Sequence, residues 1–251
     1  MVGAPAAADA VARAKRLPEL RVGLHLVLVD GHPVLPRAEI PGLIRPDGTF
    51  DHNMARASVR VFLLPHVRGQ LAAEIRAQFE AFRSTGLRLD HVNAHKHIHV
   101  HPTVARLLIE IGRDYGMKAV RLPSEPVAIL RAAFPQQRHS RPLHQPWIER
   151  LRHRLCAAGF VINDHVFGLA WSGAMVEDRL LRLVPHLPEG VSEIYLHPAS
   201  EVSPALARAM PGYRHREEFA ALLSSALKEL IAELGIKLVS YSDLVTARPQ
   251  M

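Results

Sequence analysis

The sequence predicts an α/β fold in which parallel strands are covered by helices and curl toward a β/α barrel. Three observations carry that expectation. Helix-period and strand-period patterns alternate along the chain, as they do in successive βα units. The 251 residues, 48% hydrophobic and 22% charged, are enough for one large buried core. Several strand candidates carry one apolar face and one histidine-bearing face. That division is expected where helices cover the outside of a barrel and chemistry gathers at the C-terminal strand ends.

Taken in order, Ala6 to Lys15 reads as a short helix and Leu20 to Val29 as the first strand. Pro46-Asp47-Gly48 has turn chemistry and leads into a polar, arginine-bearing region from Asp51 to Arg60. Leu71, Ile75, Phe79 and Phe82 recur at three- and four-residue spacing, which predicts an amphipathic helix over His66 to Ser84. Asp90 to His101 is predicted as a strand, followed by a helix from Thr103 to Tyr115 that stops at Gly116. Lys118 to Leu122 is the next strand, a Pro- and His-containing excursion runs to about Pro146, and Trp147 to Ala158 returns to helix. After Asp164 to Gly173 come helix Val176 to Leu187, strand Ser192 to Leu196, helix Arg216 to Leu234 and strand Ile236 to Tyr241. No repeat or flexible linker interrupts the pattern. Residues 1–251 are therefore expected to form a single domain, with an insertion or lid near 123–172.

Composition narrows the chemistry. The one cysteine, Cys156, excludes an internal disulfide and a cysteine-based metal site, so any metal must be held by His, Asp or Glu. Lys and Arg number 31 against 24 Asp and Glu, a net charge of +7 spread along the helices rather than gathered in a block. No stacking aromatics accompany these basic residues, so nucleic acid is not an expected partner, while peripheral contact with an anionic membrane stays open. The chain lacks the run of roughly eighteen apolar residues that a membrane span needs, and its start lacks the order of a secretory signal. A soluble, cytoplasmic protein is expected, with visits to the inner face of the membrane.

The most informative segment is Asp90-His-Val-Asn-Ala-His-Lys-His-Ile-His-Val-His-Pro102, in which His91, Asn93, His95, His97, His99 and His101 take every second position. An extended segment turns these side chains to one face and Val92 and Ala94 to the other. His25 lies opposite Leu24 and Leu26 on its strand, and His197 shares a face with Glu193 and Tyr195, opposite Ile194 and Leu196. Imidazoles gathered on matching faces suit a transition metal, proton transfer, or both. Catalytic zinc sites use three protein ligands and leave a position open. The strands nominate His25 and His95, with a carboxylate expected as the third ligand but absent from any obvious position.

With these residues in view, the chain resembles the YdjC-like carbohydrate deacetylase family, whose core element runs roughly His-x-Asp-x-His-x-His-x-His. Here it reads His91-Val-Asn93-Ala-His95-Lys-His97-Ile-His99. Gly23-Leu-His-Leu26, Leu196-His-Pro198 and Tyr213-Arg-His-Arg-Glu-Glu218 match in order, so the resemblance covers nearly the whole chain. Asp164 to Met175 and Gly190 to Pro198 look most like the hopanoid-associated branch. That branch is thought to remove the acetyl group from an N-acetylglucosaminyl hopanoid.

The resemblance implies a distorted TIM-like barrel and a divalent metal ion, zinc or magnesium, held by His25, His95 and an aspartate. That aspartate belongs to an Asp-Asp pair on the family's first strand, which has no counterpart here. Met1-Val-Gly-Ala-Pro resembles the end of the second strand, so the barrel is expected to be incomplete, its first strand and helix missing. An open sheet edge of that kind invites a homodimer. Asn93 stands where the family has aspartate. The implied activity is metal-assisted hydrolysis of the N-acetyl group of an amino sugar, free or lipid-linked. His197 is expected to protonate the departing amine, and His97, His99, Arg121, Trp171 and Tyr195 to contact substrate. The alternative is an inactive homologue that binds a metal or a sugar.

Overall fold

The structure, a computed structural model, describes residues 1–138 and 145–247. Its elements run α1 (Ala7–Lys15), β1 (Val22–Leu26), α2 (Met54–Leu63), α3 (Pro65–Ser84), β2 (Leu89–Ala94), α4 (Pro102–Asp114), α5 (Val127–Ala133) and α6 (Gln145–Ala157). They continue with β3 (His165–Phe167), α7 (Glu177–Leu183), β4 (Ser192–Ile194), α8 (Pro204–Ala209), α9 (His215–Leu223), α10 (Ser225–Glu233) and α11 (Tyr241–Ala247). The fold is α/β with parallel strands, divided into two compact units.

The first unit holds residues 1–121, 146–162 and the described residues from 239 onward. Here β1 and β2 pair in parallel, with His25 opposite Asn93. Parallel bridges Val92 to Val120 and Ala119 to Val161 extend this ladder. The predicted strand Leu20 to Val29 stops at Leu26 because the next backbone groups are claimed by a helix. Gln78 of α3 accepts from Val27 N at 2.9 Å and donates to Val27 O at 2.6 Å. Neighbouring Glu74 accepts from the amides of Val34 and Leu35. These two polar side chains are buried beside Leu71, Ile75 and Phe79, so α3 both packs the sheet and satisfies the loop after β1.

The second unit holds the described residues of 122–145 and 163–238. It pairs β3 with β4 in parallel over a core of Leu130, Phe134, Phe167, Met175, Leu180 and Leu183. Buried Asn163 accepts from Leu122 N and donates to the carbonyls of Leu122 and His165, standing in for a ladder rung.

Several elements depart from the sequence expectation. The histidine segment stays extended only to Ala94, then enters a 3₁₀ segment, His95–Val100, in which Lys96 and His97 are left-handed at φ 49° and 54°. Its imidazoles therefore do not form one continuous ladder. The predicted helix Arg216 to Leu234 is two helices, because Ser224 is extended and caps α10 by accepting from Leu227 N. No strand forms over 236–240; Ser240 and Asp243 cap each other's backbone amides and start α11 instead. Helices α2, α5 and α8 form where no helix is predicted from the sequence. Helix Val176 to Leu187 shortens to α7 and a 3₁₀ turn, Val184–His186, whereas α4 ends as predicted, at Gly116 with φ 71°.

Among the described residues the ladders do not close into a barrel. No helix among them is long and apolar enough to cross a membrane. The excursion after Lys118 to Leu122 includes residues 139–144, which lie outside the described residues.

Candidate active site

In the first unit, parallel register sets His25 beside Asn93, and their side chains meet: His25 Nδ1 lies 2.6 Å from Asn93 Oδ1. An amide oxygen only accepts, so Nδ1 carries the proton and Nε2 presents its lone pair. That Nε2 lies 3.5 Å from His95 Nδ1, with the rings edge-on at 73°. His95 reaches this position because β2 ends one residue before it. Burial pushes the His25 imidazole down to about 3, with the N-terminal ammonium, His95 and Arg121 adding to the fall, so it is neutral at physiological pH.

The remaining residues of the histidine segment divide by environment. His99 is fully buried, its Nε2–H donating to the Arg121 carbonyl at 2.9 Å, and burial lowers it to about 4. It ties the 3₁₀ segment to the strand-like residues 119–121. His97 packs 6.3 Å from His99, measured between ring centroids. His101 accepts from Thr103 N and caps α4. Arg121 bonds through its amide to Val92 O, and its guanidinium field reaches both His25 and His99.

The other residues nominated from sequence lie in the second unit. His197 packs between Tyr195 and Tyr213, at 5.5 and 5.1 Å between ring centroids. Buried Glu218 accepts from the amides of His197 and Met175, while His215 Nδ1–H donates to the His197 carbonyl at 2.5 Å. The backbone of His197 is therefore held on both sides. Trp171 packs on Phe134, donates to Gln137 Oε1 at 3.1 Å and lies under the Arg179 guanidinium.

Residues 1–233 match the family described as YdjC-like protein. A carbohydrate deacetylase from Geobacillus stearothermophilus is 30% identical across 97% of this chain and 84% of its own length. Another, from Vibrio vulnificus strain CMCP6, is 30% identical over 98% and 84%, and one from Mus musculus is 29% identical over 97% and 84%. The chain belongs to the YdjC-like family. Its fold is shared with the crystal structure of a candidate cellobiose-phosphate cleavage protein from Enterococcus faecalis V583, at TM-score 0.72 and 24% identity over 97% of this chain and 85% of that one.

The YdjC-like resemblance implies a metal, and the paired imidazoles can be tested against it. Two nitrogens bonded to one tetrahedral zinc sit about 3.4 Å apart, given metal–nitrogen distances near 2.0–2.1 Å. The observed 3.5 Å, with a lone pair held on His25 Nε2, fits such a pair of ligands. Among the described residues no group of three or more His, Cys, Asp or Glu could hold an ion, so the pair accounts for two ligands and no more.

Within this YdjC-like chain, sequence reasoning passed over Asp90, Ser242, His215 and Glu218 as individual site residues. His215 and Glu218 stand in the quoted Tyr213 to Glu218 motif, a usable signal. Asp90 meets its partner Ser242 across the fold, and no local pattern announces that.

Proposed function

We propose that this chain is a carbohydrate deacetylase that removes the N-acetyl group from an amino sugar with the help of a divalent ion. The observation that carries the reading is the His25–His95 pair, whose nitrogens converge to 3.5 Å, in a chain whose relatives are carbohydrate deacetylases. His25 and His95 would hold the ion. When bound, it would polarise the acetyl carbonyl and acidify a water. The chain's own residues prepare that chemistry: burial keeps His25 neutral, Asn93 sets which nitrogen is free, and the Arg121 cation suits polar sugar groups. Amide cleavage also needs a proton on the departing amine.

The substrate we favour is an N-acetylglucosaminyl hopanoid, on the strength of the Asp164 to Met175 and Gly190 to Pro198 motifs. The test is acetate release from N-acetylglucosaminyl lipid and from soluble N-acetylated oligosaccharides, with zinc, with magnesium and after chelation. Metal-dependent release is expected. Absence of release from every amino sugar under every metal condition would overturn the reading. It would leave a metal- or sugar-binding homologue, the alternative favoured by the two-ligand count among the described residues.

A further inference from the structure

We infer that Asp90 is a positioning residue that sets the tautomer of His25 from a distance, through His91 and Asn93. The four side chains form one continuous chain of hydrogen bonds: Asp90 Oδ2 to His91 Nδ1 at 2.9 Å, His91 Nε2 to Asn93 Nδ2 at 3.3 Å, and Asn93 Oδ1 to His25 Nδ1 at 2.6 Å. At the far end, Asp90 Oδ1 accepts from both the amide and the hydroxyl of Ser242, at 2.9 and 2.5 Å.

Each link dictates the next. An ionised carboxylate only accepts, so His91 carries a proton on Nδ1, which in the neutral imidazole leaves the lone pair at Nε2. That lone pair draws the NH₂ of Asn93, which turns the amide oxygen toward His25. His25 is then protonated on Nδ1 and bare on Nε2, the nitrogen facing His95. Asp90 and Asn93 are both buried, so water cannot readily substitute for a missing link. Separately, burial alone would raise the Asp90 carboxyl, but the hydrogen bonds from His91 and Ser242 outweigh it and hold it at about 2, ionised.

Asp90→Asn tests this sharply. The Ser242 amide can only donate, so it keeps the new side chain's oxygen on its own side and turns the NH₂ toward His91. Every donor and acceptor then reverses, and His25 should move its proton to Nε2. The readout is ¹⁵N NMR of the imidazoles in the full chain without added metal or substrate. In the native chain both His91 and His25 should be Nδ1–H tautomers. In Asp90→Asn they should be Nε2–H. Adding Asn93→Asp to that variant should restore Nδ1–H at His25, because a carboxylate there accepts whatever Asp90 has become. Zinc affinity should fall about 10- to 100-fold in Asp90→Asn and recover in the double variant.

An Nε2–H tautomer of His25 or His91 in the native chain overturns the inference even if no variant folds. So does an unchanged His25 tautomer in Asp90→Asn. The inference rests on the metal-site reading only for its functional meaning, since the tautomers are measured without metal, substrate or turnover. A chain with the expected tautomers and no acetate release would separate failure of the deacetylase reading from failure of this one.

Discussion

Asp30 and Lys96 form an ion pair between two left-handed residues, at φ 48° and 49°. Asp30 also accepts from His52 Nδ1 at 2.5 Å. The pair clips the loop after β1 to the turn that follows His95. Partly exposed as it is, it contributes little energy and mainly fixes the direction of the turn.

Lys96→Ala and Lys96→Gly both remove that ion pair, but only glycine relieves the left-handed backbone. Lys96→Gly should therefore be more stable than Lys96→Ala by about 1 kcal/mol. Urea unfolding of the two variants measures the difference, and equal stabilities would mean the turn is not strained.

Replacing His95 or His25 with alanine should abolish zinc binding measured by titration calorimetry, whereas His101→Ala, at the cap of α4, should retain it. Undiminished zinc content in His95→Ala would remove that residue from the ligand pair.

Acid should weaken this protein well above the carboxylate range. His99 titrates near 4 in the folded chain and near 6.5 when unfolded, so the unfolded state binds the extra proton between those values. Its stabilisation is complete above the unfolded value and is lost as pH falls toward the folded one. Between about pH 7 and about pH 5 the loss from His99 is on the order of 2 kcal/mol. Partly buried His25, held neutral by desolvation, acts in the same direction. His99→Gln keeps a donor for the Arg121 carbonyl and should flatten the dependence. Urea unfolding at the two pH values is the measurement, and equal losses in both proteins would contradict the argument.

Gly23 has His91 against it: a Cβ there would lie 2.7 Å from the His91 carbonyl oxygen and from its ring. Gly23→Ala should cost about 1–3 kcal/mol of stability, because backbone and ring cannot both yield. Acetate release should fall further than stability alone explains, since β1 carries His25 two residues on.

Glu218→Gln leaves one amide donor facing a backbone N–H where an oxygen now accepts. A buried lost bond of this kind costs about 1–3 kcal/mol. Hydrogen exchange should show the His197 and Met175 amides opening faster, and unchanged protection at both would argue against the clamp.

Much of this fold is legible in the sequence wherever a period persists. Leu71, Ile75, Phe79 and Phe82 forecast α3, and alternation correctly sets His91 and Asn93 apart from buried Val92 and Ala94. It fails at His95 because Lys96 and His97 adopt left-handed backbone, which neither residue type announces. The strand expected over Ile236 to Tyr241 does not form: Leu238 is 80% exposed, and the Ser240–Asp243 box starts a helix there instead. At the candidate site, the strand faces brought out His25 and His95. The Asp90 connection stayed hidden because adjacent strand residues point to opposite faces, yet the carboxylate reaches back to His91.

The bond between Asp90 and Ser242 joins residues 152 positions apart. During synthesis, β1, β2 and their histidines leave the ribosome long before α11 does, and until then Asp90 lacks two of its donors. The nascent chain can assemble its sheet early, but His25 acquires its full hydrogen-bonded support only when α11 arrives. Completion of the hydrogen-bonded chain thus waits for α11.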